Sequence, residues 1–239
     1  MKTSLTAIIP TLNNIQGLKY LKDYFKEKPY KIVIVDNAKK NLGFAGAVNK
    51  GARDAKTKWL LILNDDIKFK DNTTLDKLID EAEKKKLDAL SPILINSGGK
   101  IENLGYKVLP FGKAKLILNT KYSILNTNIH GLTAACLLIK NSVFKKLAGF
   151  DESFFAYLED IDLFFRFTKS GYKMGISQVE VFHNHMTTTK TMGNFKARQD
   201  MINWWRLYFK HPEKFRFDLK FIEERLRNLS GFIKASLKI

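Results

Sequence analysis

The chain has 239 residues, an apolar fraction of 45% and a net charge of +17, from 41 Lys and Arg against 24 Asp and Glu. That length buries a sizeable core as one α/β domain with or without an appendage, and no segment approaches the ~20 apolar residues needed to span a bilayer. The single cysteine, Cys136, excludes an internal disulfide and fits a reducing, cytoplasmic compartment. Residues 5–9, closed by Pro10, are too short for the core of an export signal. The charge asks for an anionic partner, whether a phosphate-rich ligand, nucleic acid or the inner, acidic face of a membrane, although a lysine-rich composition also serves solubility alone.

Apolar runs bounded by turn residues predict strands over 5–9, 31–35, 59–63 and 89–95. Helical spacing recurs between them, first through Leu18, Leu21 and Phe25, then Phe44, Ala47 and Val48, then Leu75, Leu78, Ile79 and Ala82. The alternation predicts a Rossmann-like α/β fold with a mostly parallel central sheet and flanking helices. Gly98, Gly99, Gly105, Pro110 and Gly112 then break the pattern, so 97–130 is expected to be antiparallel or irregular, as acceptor-shaping loops often are. A buried strand is predicted over 134–139, a short helix from Asn141 to near Ala148-Gly149, and a further helix over 160–168. In Val181-Phe182-His183-Asn184-His185, strand alternation puts both histidines on one side.

The expected domains are 1–190 and a basic, helical extension over 191–239. In the extension Leu219, Ile222, Leu226, Leu229, Ile233 and Leu237 recur every three or four residues, with Lys220, Arg225, Arg227, Lys234 and Lys238 largely elsewhere on the helix. Such a stripe either packs on the domain or lies on an anionic membrane as a peripheral anchor.

Strand 59–63 stops on Asn64-Asp65-Asp66. Buried unpaired charge is costly, so acids at the carboxyl end of a core strand face a crevice and a cation, with Mg²⁺ or Mn²⁺ the leading candidate; a polar turn is the plainer reading. Ligands of doubly wound sheets bind outside those strand ends, where Pro10-Thr11-Leu12-Asn13-Asn14 and Asp36-Asn37 also fall. The run from Asn41 through Gly43 and Gly46 to Asn49 and Gly51 places small residues at a helix start, where backbone N–H groups can meet a phosphate or base; capping accounts for the same spacing. Finally, Asp151, Glu152, Glu159, Asp160 and Asp162 crowd one aromatic-rich stretch of a strongly basic chain. First-turn carboxylates are stabilised by a helix dipole, but their density exceeds what capping needs.

Together these residues resemble the family 2 glycosyltransferases, inverting enzymes of the GT-A fold, and particularly their rhamnosyltransferase-like branch. The likeness covers about residues 5–190 and rests on Ile8-Ile9-Pro10-Thr11-Leu12-Asn13, the Asn41 to Gly51 segment, Asn64-Asp65-Asp66 in the place of a DxD motif, Gly149-Phe150-Asp151-Glu152 and Glu159-Asp160-Ile161-Asp162-Leu163. It implies transfer of a sugar from a nucleotide-diphosphate donor to a hydroxyl of a glycan or lipid-linked acceptor in surface polysaccharide biosynthesis, with Mn²⁺ or Mg²⁺. By the same resemblance Asp36 contacts the nucleotide base, Pro10, Thr11 and Asn13 line its pocket, and Asn41, Gly43 and Asn49 belong to the donor side. Asp65 lies near the ribose, Asp66 ligates the metal with His183 completing the set, and Asp160 is the catalytic base, with Glu159 and Asp162 beside it toward the acceptor. Asn64 stands where the motif's first acid would be, and Asp36-Asn37-Ala38-Lys39-Lys40 lacks the serine and acid often found after this strand.

Two other classes compete. A nucleic-acid-binding module would use the basic surface, but aromatic and basic residues interleave only around Trp204-Trp205-Arg206 and no nucleic-acid motif is present. A nucleotidyltransferase would want a glycine-rich loop with an arginine after the first strand, and Pro10-Thr11-Leu12-Asn13-Asn14 has neither.

Overall fold

The computed structural model describes residues 5–118, 129–183 and 194–237. The predicted boundary at 190, His185 and Lys238 lie outside them. The order is β1 (Leu5–Thr11), α1 (Ile15–Lys26), β2 (Lys31–Asp36), α2 (Gly43–Ala52), β3 (Trp59–Leu63), β4 (Ile67–Phe69), α3 (Thr74–Lys84), β5 (Ala89–Ile95), β6 (Ile101–Asn103), β7 (Tyr106–Leu109) and β8 (Lys113–Leu116). Then follow β9 (Cys136–Lys140), α4 (Asn141–Lys146), α5 (Glu159–Lys169), β10 (Met174–His183), α6 (Phe195–Lys210) and α7 (Leu219–Leu237).

The main sheet runs β2-β1-β3-β9-β5-β10-β4, with β6 paired to β5. Its first half is parallel, as β1 pairs in parallel with both β2 and β3. β9 enters antiparallel between β3 and β5, and β10 returns parallel to β5. All five residues of β3 are buried because helices cover both faces of the sheet, which is why the strand reads as an unbroken apolar run. Leu60 and Ile62 pack with α2, α4 and α5, while Trp59, Leu61 and Leu63 pack with α1 and α3. Each such buried Leu or Ile contributes about 1.5–3 kcal/mol.

A third, smaller core joins the β7–β8 hairpin to α5 and α6 through Tyr106, Val108, Phe154, Ile161, Phe165, Trp204 and Leu207. The C-terminal helices are therefore packed against α5 and the β7–β8 hairpin. Within α7, however, the inward residues are Phe221 and Arg225. The predicted apolar stripe stays exposed, with Leu226 58% and Leu237 62% accessible. This corrects the packing reading of the stripe, and Arg225, expected with the basic residues off the stripe, is buried. No helix among the described residues is long and apolar enough to cross a membrane.

Candidate active site

The carboxyl ends of β1 and β3, the start of α2, the loop before α5, the β6–β8 region and the C-terminal helices enclose a cavity of about 670 Å³, within the range of small-molecule sites. Pro10, Thr11, Asn41, Gly43, Asp65, Asp66, Glu159, Asp160 and His183 all line it.

Asp65 is clasped by Asn14, whose amide donates to the Asp65 carbonyl at 3.0 Å and to its carboxylate at 3.3 Å while its own oxygen caps α1 at Gly17. Burial raises the Asp65 pKa, the hydrogen bond from Asn14 opposes it, and the neighbouring Asp66 charge adds to the rise. Asp66 faces His183, with Oδ1 3.3 Å from Nε2, and the other ring nitrogen, Nδ1, lies 3.1 Å from Glu102 Oε2. Burial lowers the His183 pKa, but Asp66 and then Glu102 outweigh it and the net shift is upward.

An oxygen and an imidazole nitrogen about 3 Å apart fit adjacent corners of an octahedron with 2.0–2.1 Å bonds, so Asp66 and His183 suit a divalent cation. Among the described residues no three His, Cys, Asp or Glu side chains form a metal cage. Mg²⁺ and Mn²⁺ are commonly held by one or two protein ligands, with water and phosphate completing the shell.

The second acidic wall is built on backbone strain. Phe155, Tyr157 and Leu158 have φ of 60°, 67° and 68°, a left-handed conformation that costs a non-glycine residue of order 1–3 kcal/mol each. It is held by Asn203 of α6, fully buried, whose amide nitrogen lies 2.8–3.0 Å from the carbonyls of Phe154, Ala156 and Tyr157. The turn delivers Glu159 and Asp160 into the first turn of α5. Burial raises both pKa values; the Asp160 charge pushes Glu159 further, while N–H groups of Ile161 and Ala134 hold Asp160 lower. Of the pair, Asp160 is the one whose charge the backbone N–H groups favour, and that charge in turn favours a proton on Glu159. Burial among these acids also raises the pKa of Tyr106 in the adjoining wall.

Four of the predicted residues are not in the cavity lining. Asp162 is fully buried on the other side of α5, where Arg166 Nη2 at 2.6 Å, His211 Nε2 at 2.8 Å and Lys210 at 2.8 Å surround it. Burial works to raise its pKa, and these partners outweigh it to lower it. It holds α5 to the end of α6 and cannot meet an acceptor. Asn49 binds the backbone N–H and carbonyl of Phe150, pinning α2 to that loop. Asp36 is exposed, in register with Thr11, and caps Ala38 N–H; Asn13 is exposed with φ 65°.

The start of α2 also differs from a free anion-binding terminus. Gly43 N–H is taken by Asn41 and Ala45 N–H by the Phe155 carbonyl. Gly43 has φ 70°, and a Cβ there would strike the Phe155 carbonyl. The small residues admit the strained turn to the helix start. Asn203 escaped sequence reasoning because a single asparagine reads as an ordinary turn or surface residue; Asn14 and Asn37 entered it only as parts of strand-end turns, and Asn37 in fact binds the Gly43 carbonyl and the Leu42 N–H.

The family model for glycosyl transferase family 2 matches residues 7–148. The chain is 25% identical over 211 residues to the N-acetylglucosaminyl-diphospho-decaprenol L-rhamnosyltransferase of Mycobacterium tuberculosis, spanning 70% of this chain and 67% of that one. It is 25% identical over 155 residues to the O-antigen biosynthesis protein RfbC of Myxococcus xanthus, covering 59% of this chain but only 12% of that protein. In fold it resembles the mannosyltransferase PcManGT of Pyrobaculum calidifontis, solved with GDP-Man and Mn²⁺, at a TM-score of 0.60, 14% identity and coverage of 98% of this chain and 73% of that one. S. aureus TarS 1-349 gives a TM-score of 0.52 at 13% identity, covering 97% and 80%. With that match and the mixed sheet and flanking helices of the GT-A fold, the chain belongs to glycosyl transferase family 2 and is a glycosyltransferase.

Proposed function

We propose that this chain moves a sugar, with inversion, from a nucleotide-diphosphate donor to a hydroxyl of a lipid-linked glycan in surface polysaccharide biosynthesis. The observation that carries the reading is one cavity holding two separate acidic stations, Asp66 with His183 and Asp160 with Glu159. Pro10, Thr11, Asn41, Gly43 and Asp65 form the wall between the first strand ends and α2 where a nucleotide would lie, with Asp36 and Asn13 beside that wall at the exposed ends of β2 and β1. Asp66 and His183 would hold Mn²⁺ or Mg²⁺, which supplies charge neutralisation for a departing diphosphate.

Asp160 takes the acceptor proton as the hydroxyl attacks the anomeric carbon from the face opposite the diphosphate, through an oxocarbenium-like transition state. One displacement inverts the centre. Glu159, whose proton burial and the Asp160 charge favour, would offer a hydrogen bond to the acceptor while Asp160 serves as base. The strained turn and Asn203 fix the Asp160 carboxylate in place before substrate arrives, so little reorganisation is left to the chemical step.

The lipid-linked acceptor is supported by the diphospho-decaprenol substrate in the name of the mycobacterial relative and by α7. Its outward face exposes Leu219, Leu226, Leu229, Ile233 and Leu237 beside Lys220, Arg227 and Lys234, a composition suited to lying on the anionic inner face of a membrane.

Asp66→Ala is expected to abolish Mn²⁺-dependent binding of nucleoside diphosphate; calorimetry showing wild-type affinity would remove the metal role. Asp160→Asn is expected to lower kcat by ~10²-fold or more with donor affinity retained, whereas Glu159→Gln keeps the chemistry and loses at most acceptor affinity. Because Asp160 acts ionised and burial raises its pKa, kcat should fall as pH drops through a midpoint above the ordinary carboxylate range; a flat profile there, or an active Asp160→Asn enzyme, would exclude it. Sedimentation with liposomes should recover the protein on anionic but not neutral vesicles, weakening with salt, each basic residue contributing about 1 kcal/mol; equal recovery on both would leave α7 without a membrane role.

A further inference from the structure

Arg225 is out of place for a surface cation. It projects from α7 into the cavity wall and is 6% exposed. Its guanidinium lies 4.7 Å from the Phe221 ring centroid and 5.0 Å from that of Trp204. Nε donates to Asn228 Oδ1 at 3.0 Å and Nη2 to the Gly112 carbonyl at 2.5 Å, but Nη1 has no hydrogen-bond partner. The nearby Glu224 is taken by Lys113 at 3.4 Å and by Arg227; among the described residues no ion pair reaches Arg225. Gly112, with φ 70°, leaves the space the guanidinium fills, since a Cβ there would collide with Nη1. Burial lowers the Arg225 pKa to about 10, which leaves it charged at neutral pH.

A buried guanidinium with no carboxylate in hydrogen-bonding contact, and only the charge of the Lys113-paired Glu224 nearby, is costly unless a ligand supplies the anion, and a planar fork whose buried Nη1 lacks a partner matches phosphate oxygens. Asp66, in the turn after β3, and His183, at the end of β10, are the residues proposed to meet the donor's diphosphate through a metal. Arg225 stands on a different wall, between the turn after β7 and α7, whose other face carries the exposed apolar stripe. We infer that Arg225, with Lys113 beside it in the lining, is an anion subsite for the diphosphate of a lipid-linked acceptor, so that the last helix reads the acceptor's head group on one face and meets its membrane on the other. The inference rests on the lipid-linked reading given above.

The test is calorimetry on the full chain with the donor site first filled by nucleoside diphosphate and Mn²⁺, then titrated with geranyl diphosphate. Wild type is expected to bind it, inorganic pyrophosphate to compete, and geraniol to show no comparable binding. Arg225→Met, which keeps an apolar stem against Trp204 and Phe221, should weaken geranyl diphosphate at least tenfold while retaining nucleotide affinity, which also reports an intact fold. Arg225→Lys keeps the charge without the fork; it should bind several-fold more weakly than wild type and supplies the comparison if the methionine variant loses its fold. Geranyl diphosphate bound as tightly by these variants as by wild type, or displaced by nucleoside diphosphate, would overturn the subsite. Failure of wild type to bind nucleoside diphosphate would instead overturn the donor reading.

Discussion

Two adjacent carboxylates, Glu159 buried and Asp160 half-buried in the cavity wall, stand at the start of one helix, and much of the site exists to keep them there. Desolvation alone would protonate both or expel them. The α5 dipole and two backbone N–H groups favour charge on Asp160, and the strained 155–158 turn aims the pair into the cavity. The turn in turn depends on three carbonyl contacts from Asn203 and on the glycine at position 43. Strain of this kind persists only where its surroundings over-determine it, and here they come from α2 on one side and α6 on the other.

This dependence makes the C-terminal helices part of the enzyme's working half. Asp162, one helical face away from Asp160, uses Arg166, Lys210 and His211 to fasten α5 to the end of α6. Breaking a buried pair of this sort costs about 3–5 kcal/mol by leaving charge uncompensated. The same segment contributes Trp204 and Arg225 to the cavity lining. In a chain of net charge +17, Asp65, Asp66, Glu159 and Asp160 line one cavity, while α7 exposes apolar and basic residues together.

The sheet was legible where burial on both faces made β3 an unbroken apolar run, and the site where acids crowded a basic chain. The antiparallel direction of β9 was not, because apolar content carries no strand direction. Three-residue β4 is too short to show a period. Asp162 was grouped with Asp160 by proximity in sequence, yet two residues along a helix turn about 200° around its axis, which sends one carboxylate to the cavity and the other to Arg166. Arg225 shows the converse limit: periodicity separates the faces of α7 without saying which of them is covered, and the apolar one is left open.

The proposed transfer is a direct displacement in which Asp160 takes the acceptor proton and no protein nucleophile stands between donor and acceptor. The anomeric configuration of the product, followed by NMR in a reaction with a nucleotide-diphosphate sugar of known configuration, reads this directly. The opposite configuration to that of the donor is predicted from the first turnover. Retention would require a covalent or same-face mechanism and would contradict the roles given to Asp160 and Glu159.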